Sequence, residues 1–184
     1  RIAYPANREG LLEHFPDPAV RKSVEVDLAL LERLDALIAD LELTIVRHAK
    51  RHDADAFPRL RSVPGIGKIL ALTLLYEIHD VTRFERVQQF ASYARLVKCA
   101  HESAGKKLGA GGAKQGNVHL KWAFSEAAVL YLRHGADGKK LLARLERKHG
   151  KGKALSILAH KIGRAVYYIL ARGTVFSPEK FANA

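Results

Sequence analysis

Apolar residues recur along the first third of the chain at alternating spacings of four and three. Val20, Val24, Asp27, Leu31, Leu34, Ile38, Leu41, Ile45 and His48 trace a heptad seam that is interrupted at Asp27 and ends in His48. Glu25, Glu32, Asp35, Asp40 and Glu42 interleave with it, which solvates the outer face. Pro18 suits a first helical turn behind Asp17 as N-cap, so the pattern predicts one long helix over residues 18–53. Leu28, Leu30 and Leu37 widen the stripe. The helix therefore fits a bundle within its own domain as well as a coiled-coil arm that pairs with another protomer.

The pattern then tightens. A short segment over 54–62 with Phe57 and Leu60 leads into Val63-Pro64-Gly65-Ile66-Gly67-Lys68, and an apolar helix follows over 69–78. An apolar-Pro-Gly-apolar-Gly turn between two short helices is the pattern of a helix-hairpin-helix. Its glycines let backbone N–H groups approach a phosphate, the next helix adds its positive dipole end, and Lys68 adds a full charge, while Ile66 anchors the turn in the core. Such a contact positions a duplex without reading its sequence. A ligand-free turn has the same composition, but the string flanked by helices favours DNA. Phe84, Val87, Phe90, Ala91 and Ala94 predict a helix over 82–96 with a buried face.

Residues 101–117 hold five glycines and three lysines and read as a flexible basic loop. Asn117 then caps a helix to about residue 134, with Val118, Trp122, Ala128, Val129 and Leu132 on apolar faces. Two more helices are expected over 137–148 and 153–172, the latter with the stripe Leu155, Leu158, Ile162, Ala165, Val166 and Ile169. The tail from Gly173 reads as irregular. The expected fold is all-α in three segments: a long helical arm (1–53), a helix-hairpin-helix unit (54–96) and a basic helical domain with a Gly/Lys-rich loop (97–184).

Charge sharpens this division. Residues 1–92 hold 13 Lys+Arg and 14 Asp+Glu, a net −1, whereas residues 93–184 hold 18 and 5, a net +13. A half-chain so depleted of acids favours a polyanion partner, because clustered cations neutralise phosphates and release their counterions. The single cysteine, Cys99, excludes an internal disulfide framework and reads as a packed thiol. No apolar run approaches the roughly 20 residues of a membrane helix, and no signal peptide opens the chain. This predicts a cytoplasmic protein with no membrane partner. The chain of 184 residues contains no Met, and the bulky Arg1 is a poor successor to a removed initiator, which predicts a fragment of a longer protein.

Few residues offer chemistry. His48 and His52 sit one turn apart on a solvated helix end, a poor metal site, and no HExxH, cysteine pair or Walker A spacing occurs. Ser103 stands out, flanked by His101, Glu102, Lys106 and Lys107. A serine attacks a phosphodiester only when a base or metal takes its proton and cations offset the phosphate charge. Neighbours in sequence need not converge, so on this reading a turn residue and a nucleophile both remain open.

Four motifs occur in order: Val63-Pro64-Gly65-Ile66-Gly67, Ala91-Ser92-Tyr93-Ala94-Arg95-Leu96-Val97, His101-Glu102-Ser103-Ala104-Gly105-Lys106, and Gly116-Asn117 at a helix start. Together they resemble the C-terminal half of transposases of the insertion sequence 110 family, with its 1111 subgroup, over most of the chain to about Arg172. Arg95 stands where that family usually has Gly after Tyr-Ala, and Ala104 separates Ser103 from Gly105. The resemblance implies an N-terminal RuvC-like domain with a DEDD acid set that binds Mg²⁺, absent here, a coiled-coil arm, and a serine that becomes linked to DNA. It also implies guidance by a bridge RNA. By position Ser103 is that serine. Gly65, Ile66, Gly67, Lys68, Lys106, Lys107, Lys114, Asn117 and Lys121 form the expected nucleic-acid-binding set. No cofactor is expected on this chain itself. The expected partners are DNA, a guide RNA and further copies of the chain through the long helix, in a prokaryotic, nucleoid-associated setting. The rival reading is a non-catalytic helix-hairpin-helix module or an inactive remnant; a third is a protein whose function is oligomerisation through the heptad helix.

Overall fold

In the computed structural model, residue 2 and residues 4–97, 102–103, 106–107, 115–133 and 136–183 are described; for 50–52, 102–103, 106–107, 136–137 and 183 this extends to the backbone only. Eight α-helices order these residues: α1 (Pro18–His52), α2 (Ala56–Arg61), α3 (Lys68–Ile78), α4 (Val87–Tyr93), α5 (Val118–Tyr131), α6 (Ala136–His149), α7 (Lys151–Arg172) and α8 (Pro178–Asn183). The all-α expectation holds, with one small addition: the two-residue strands β1 (Glu102–Ser103) and β2 (Lys106–Lys107) pair antiparallel. The chain divides into two compact units, residues 1–48 and 49–184.

In the first unit, α1 begins as its sequence dictates. Asp17 Oδ1 accepts from the backbone N–H of Ala19 at 2.7 Å and of Val20 at 3.3 Å, satisfying two of the donors a helix start leaves open. The preceding segment folds back along the helix. Arg8 is buried, its guanidinium 2.7 Å from the Asp35 carboxylate and its Nε donating to the Ile2 carbonyl. The heptad seam beyond is bare: Leu31, Leu34, Ile38, Leu41 and Ile45 are all exposed, Leu41 to 61%.

The second unit is built around α7, which packs against α2, α4, α5 and α6. Its buried stripe is Ala154, Leu158, Ala159, Ile162, Gly163, Val166, Tyr167 and Ile169. Phe90 sits at the centre, its ring 5.4 Å from Phe84, 6.0 Å from Phe124 and 5.7 Å from Tyr167. Residues 54–96 and 97–184 both contribute to this core. The tail joins it too: Phe176 N–H donates to Ser62 Oγ at 2.9 Å, and Phe181 is buried against Tyr131.

Three expectations need correction. The helix expected over 82–96 is a 3-10 turn at Val81–Arg83, an extended step, and then only α4. Arg95, at φ +54°, adopts the left-handed region that ends a helix. On α5 the buried face is Leu120, Ala123, Phe124, Ala127, Ala128 and Tyr131, which leaves Val118, Trp122 and Val129 exposed. The tail contains α8.

Candidate nucleic-acid interface

The hairpin between α2 and α3 separates two roles within one motif. Val63 and Ile66 are buried, so Ile66 does anchor the turn. Gly65 has φ +89° and lies against α5, where an added Cβ would stand 2.6 Å from the Ala127 carbonyl oxygen and 2.6 Å from the Tyr131 nitrogen. Its lack of a side chain therefore serves packing. Gly67 is the opposite case: it is exposed, has ordinary backbone angles, and an added Cβ would meet nothing within 4 Å. It occupies the N-cap of α3 without a side-chain cap, so the start of α3 faces outward beside half-exposed Lys68. That is the local geometry in which backbone donors and the helix dipole receive a phosphate.

The second cluster lies at the other end of α3. Asn117 caps α5, its Oδ1 accepting from Leu120 N–H at 3.0 Å. Its Nδ2 donates to Glu77 Oε2 at 2.6 Å and lies 3.5 Å from Tyr93 Oη. Gly65 meets the C-terminal end of α5 and Glu77 meets its start, so α3 and α5 run antiparallel. The ten-residue rise from Gly67 to Glu77 separates the two clusters by about 15 Å. Arg83 stacks over Phe84 at 4.7 Å and Tyr93 at 4.6 Å. Donation by Asn117 and then Arg83 holds the Tyr93 phenol below its usual value, against opposing burial and the Glu77 charge.

Described residues on either side of the 98–114 segment are joined here. Asn117 N–H donates to the Tyr93 carbonyl at 2.7 Å and Arg95 Nε to the Gly116 carbonyl at 2.8 Å. Gly116, at φ +100°, is close enough that a Cβ would lie 2.5 Å from the Tyr93 oxygen. Within the segment, β1 and β2 set Ser103 opposite Lys106 and Glu102 opposite Lys107. This short ladder departs from the irregular loop that the glycine content suggests. Lys114, His101 and Cys99 lie outside the described residues. Lys121 is exposed one turn into α5, with Trp122 beside it 47% exposed.

Linear spacing did not single out Glu77, Arg83 and Tyr93 as a cluster with Asn117, since their convergence depends on the α3–α5 pairing. The exposure of Trp122 was missed by placing it on an apolar face; the signal that could have shown it is the stronger helical stripe of Leu120, Phe124, Ala127 and Tyr131, which leaves it outside. Among the described residues no group of three or more His, Cys, Asp or Glu side chains converges as a metal site.

Residues 58–143, from α2 through the serine hairpin into α6, match the family described as Transposase IS116/IS110/IS902. The chain belongs to this transposase family. It is 32% identical over 147 residues to the transposase for insertion sequence element IS1111A of Coxiella burnetii, covering 78% of this chain and 40% of that protein. It is 29% identical over 140 residues to the transposase for insertion sequence element IS1328 of Yersinia enterocolitica, covering 72% and 42% respectively. The chain thus spans about two fifths of the length of these transposases. The stretch matched to the transposase family contains both clusters and the serine ladder. No described helix is long and apolar enough to cross a membrane.

Proposed function

We propose that this chain is the serine-bearing part of a DNA transposase, in which Ser103 attacks a backbone phosphate. The observation that carries the reading is the ladder register, which puts Ser103 across from Lys106 and Glu102 across from Lys107. Residues opposite each other in an antiparallel pair lie roughly 5 Å apart at Cα. A cationic neighbour so near offsets the charge that grows on the phosphate during attack. In the step, the Ser103 hydroxyl oxygen forms a bond to phosphorus, a deoxyribose oxygen leaves, and the hydroxyl proton passes to a base, for which His101 and Glu102 are the adjacent candidates.

The outward start of α3 at Gly67 and Lys68 holds the duplex backbone in this scheme, with Lys106, Lys107, Lys114 and Lys121 on the serine side. A separation of about 15 Å between the hairpin and Asn117 corresponds to four or five base-pair steps. One duplex can therefore touch both. Asn117 contributes indirectly, by tying α5 to Glu77. The RuvC-like domain implied by the resemblance supplies the Mg²⁺ acids, a bridge RNA guides target choice, and the bare seam of α1 joins copies of the chain.

Recombination by the RuvC-containing full-length transposase, with DNA, guide RNA and Mg²⁺, tests this. Ser103→Ala abolishes strand exchange while DNA affinity stays within about threefold; unchanged recombination by Ser103→Ala refutes the nucleophile. The non-catalytic alternative, a binding module, predicts salt-dependent DNA binding with no covalent protein–DNA species under any condition.

A further inference from the structure

A groove of about 640 Å³ opens between α7, the end of α6 and the 174–181 tail, in the second unit and away from the clusters described above. Its walls include the rings of Tyr168, Phe176 and Phe181. The Arg172 guanidinium lies 4.5 Å from the Tyr168 ring centre, and Lys161 Nζ lies 5.6 Å from that of Phe181. Lys161, Arg164, Arg172 and Lys180 line the groove, and no Asp or Glu does. The cations are uncomfortable together: burial, then Arg144 and Arg164, hold Lys161 below its ordinary value, and burial followed by Arg164 does the same to His160. An anion entering here relieves that repulsion.

Aromatic and guanidinium planes beside further cations form the chemistry that grips an unstacked base together with its phosphate. A base in intact duplex is already stacked and cannot enter. We propose that this groove captures one splayed nucleotide of single-stranded nucleic acid, its base against Tyr168, Arg172 and Phe176, its phosphate at Lys161 and Arg164. The proposal rests on the nucleic-acid reading of the chain and adds a site specific for single strands. The volume suits one nucleotide and falls in the range of small-molecule pockets.

The test is fluorescence anisotropy on the whole chain at about 150 mM salt, with a labelled oligothymidylate of about 12 nucleotides and a labelled duplex of equal length. Tyr168→Ala should weaken single-strand binding roughly tenfold, as loss of one stacking platform does, and Tyr168→Phe should restore it. Duplex affinity should stay within about twofold in both. An oligothymidylate carrying 5-iodouracil should photocrosslink to Tyr168 or Phe176 in the unaltered chain, which guards against a variant that merely misfolds. Poly-glutamate of equal charge should compete poorly, since it carries no base. Equal losses for strand and duplex, effective poly-glutamate competition, or crosslinks only to other residues each overturn the groove while leaving the DNA-binding reading standing. Failure of the unaltered chain to bind either probe overturns both.

Discussion

At Gly65 an added Cβ would press on the α5 backbone at 2.6 Å, from a left-handed φ that L side chains rarely adopt. Neither the Ala127 carbonyl nor the Tyr131 amide can swing aside as a side-chain tip does, so the α3–α5 pair itself would have to part. Gly65→Ala is therefore expected to cost about 2–3 kcal/mol of stability, read as a lower denaturant midpoint. Gly67→Ala meets open space at ordinary backbone angles and should lower that midpoint far less, by the modest cost of Ala at an N-cap, while weakening duplex binding, because a methyl group then stands where the proposed phosphate contact lies. Arg95 shows the reverse situation: a side-chain-bearing residue held at φ +54°, with its guanidinium bonded back to Gly116. The left-handed conformation at this position is one that glycine adopts without a Cβ penalty. His160 carries a pH signature. Its folded-state value is lowered by burial and Arg164 from 6.5, so the unfolded state binds the proton more tightly and stability falls as pH drops below about 6.5 toward the folded value. Thermal melts from about pH 7 down to about pH 5 should show this loss, and His160→Asn should make it smaller.

Among the elements, α1 raises the sharpest question of partners. Thirty-five residues make a rod of about 52 Å, and Leu31, Leu34, Ile38 and Leu41 lie exposed along it. Burying each leucine is worth roughly 1.5–3 kcal/mol, enough in series to hold two such helices together. Leu34→Asp with Leu41→Asp should shift the chain to monomer by light scattering while its helical circular dichroism persists; an unchanged mass would show that the seam does not mediate association. Legibility follows how local the causes are. The seam, the Asp17 cap, the Ile66 anchor and, in the α7 stripe, Leu158, Ile162, Val166 and Ile169 are set by spacing along the chain and were readable from it, whereas Leu155 and Ala165 are only half-buried. The short length of α4 was not readable: a 3-10 turn and an extended step take up residues 81–86, and beyond its end Arg95 is tied to Gly116, a contact across 21 positions. Asn117 was readable as a cap, but its grip on Glu77, 40 positions away, needed the helices docked. The strand pair around Ser103 was masked in sequence by the glycines that surround it.

Across the whole molecule the charge imbalance acquires a place. The net +13 of residues 93–184 comes largely from the exposed faces of α6 and α7 and from the serine segment. The near-neutral first half supplies α1 and the hairpin. In the proposed reading a polyanion meets the outward start of α3 as well as the basic serine segment, spaced about 15 Å apart at their anchoring residues. The proposal turns on a single bond, from Ser103 to phosphorus. The most direct measurement is peptide mass spectrometry on the full-length transposase, quenched in denaturant during strand exchange and digested with nuclease and protease. A nucleotide mass joined to the peptide at Ser103, lost in Ser103→Ala, is the predicted result. Active strand exchange with the nucleotide joined to another residue, or to none, would contradict it.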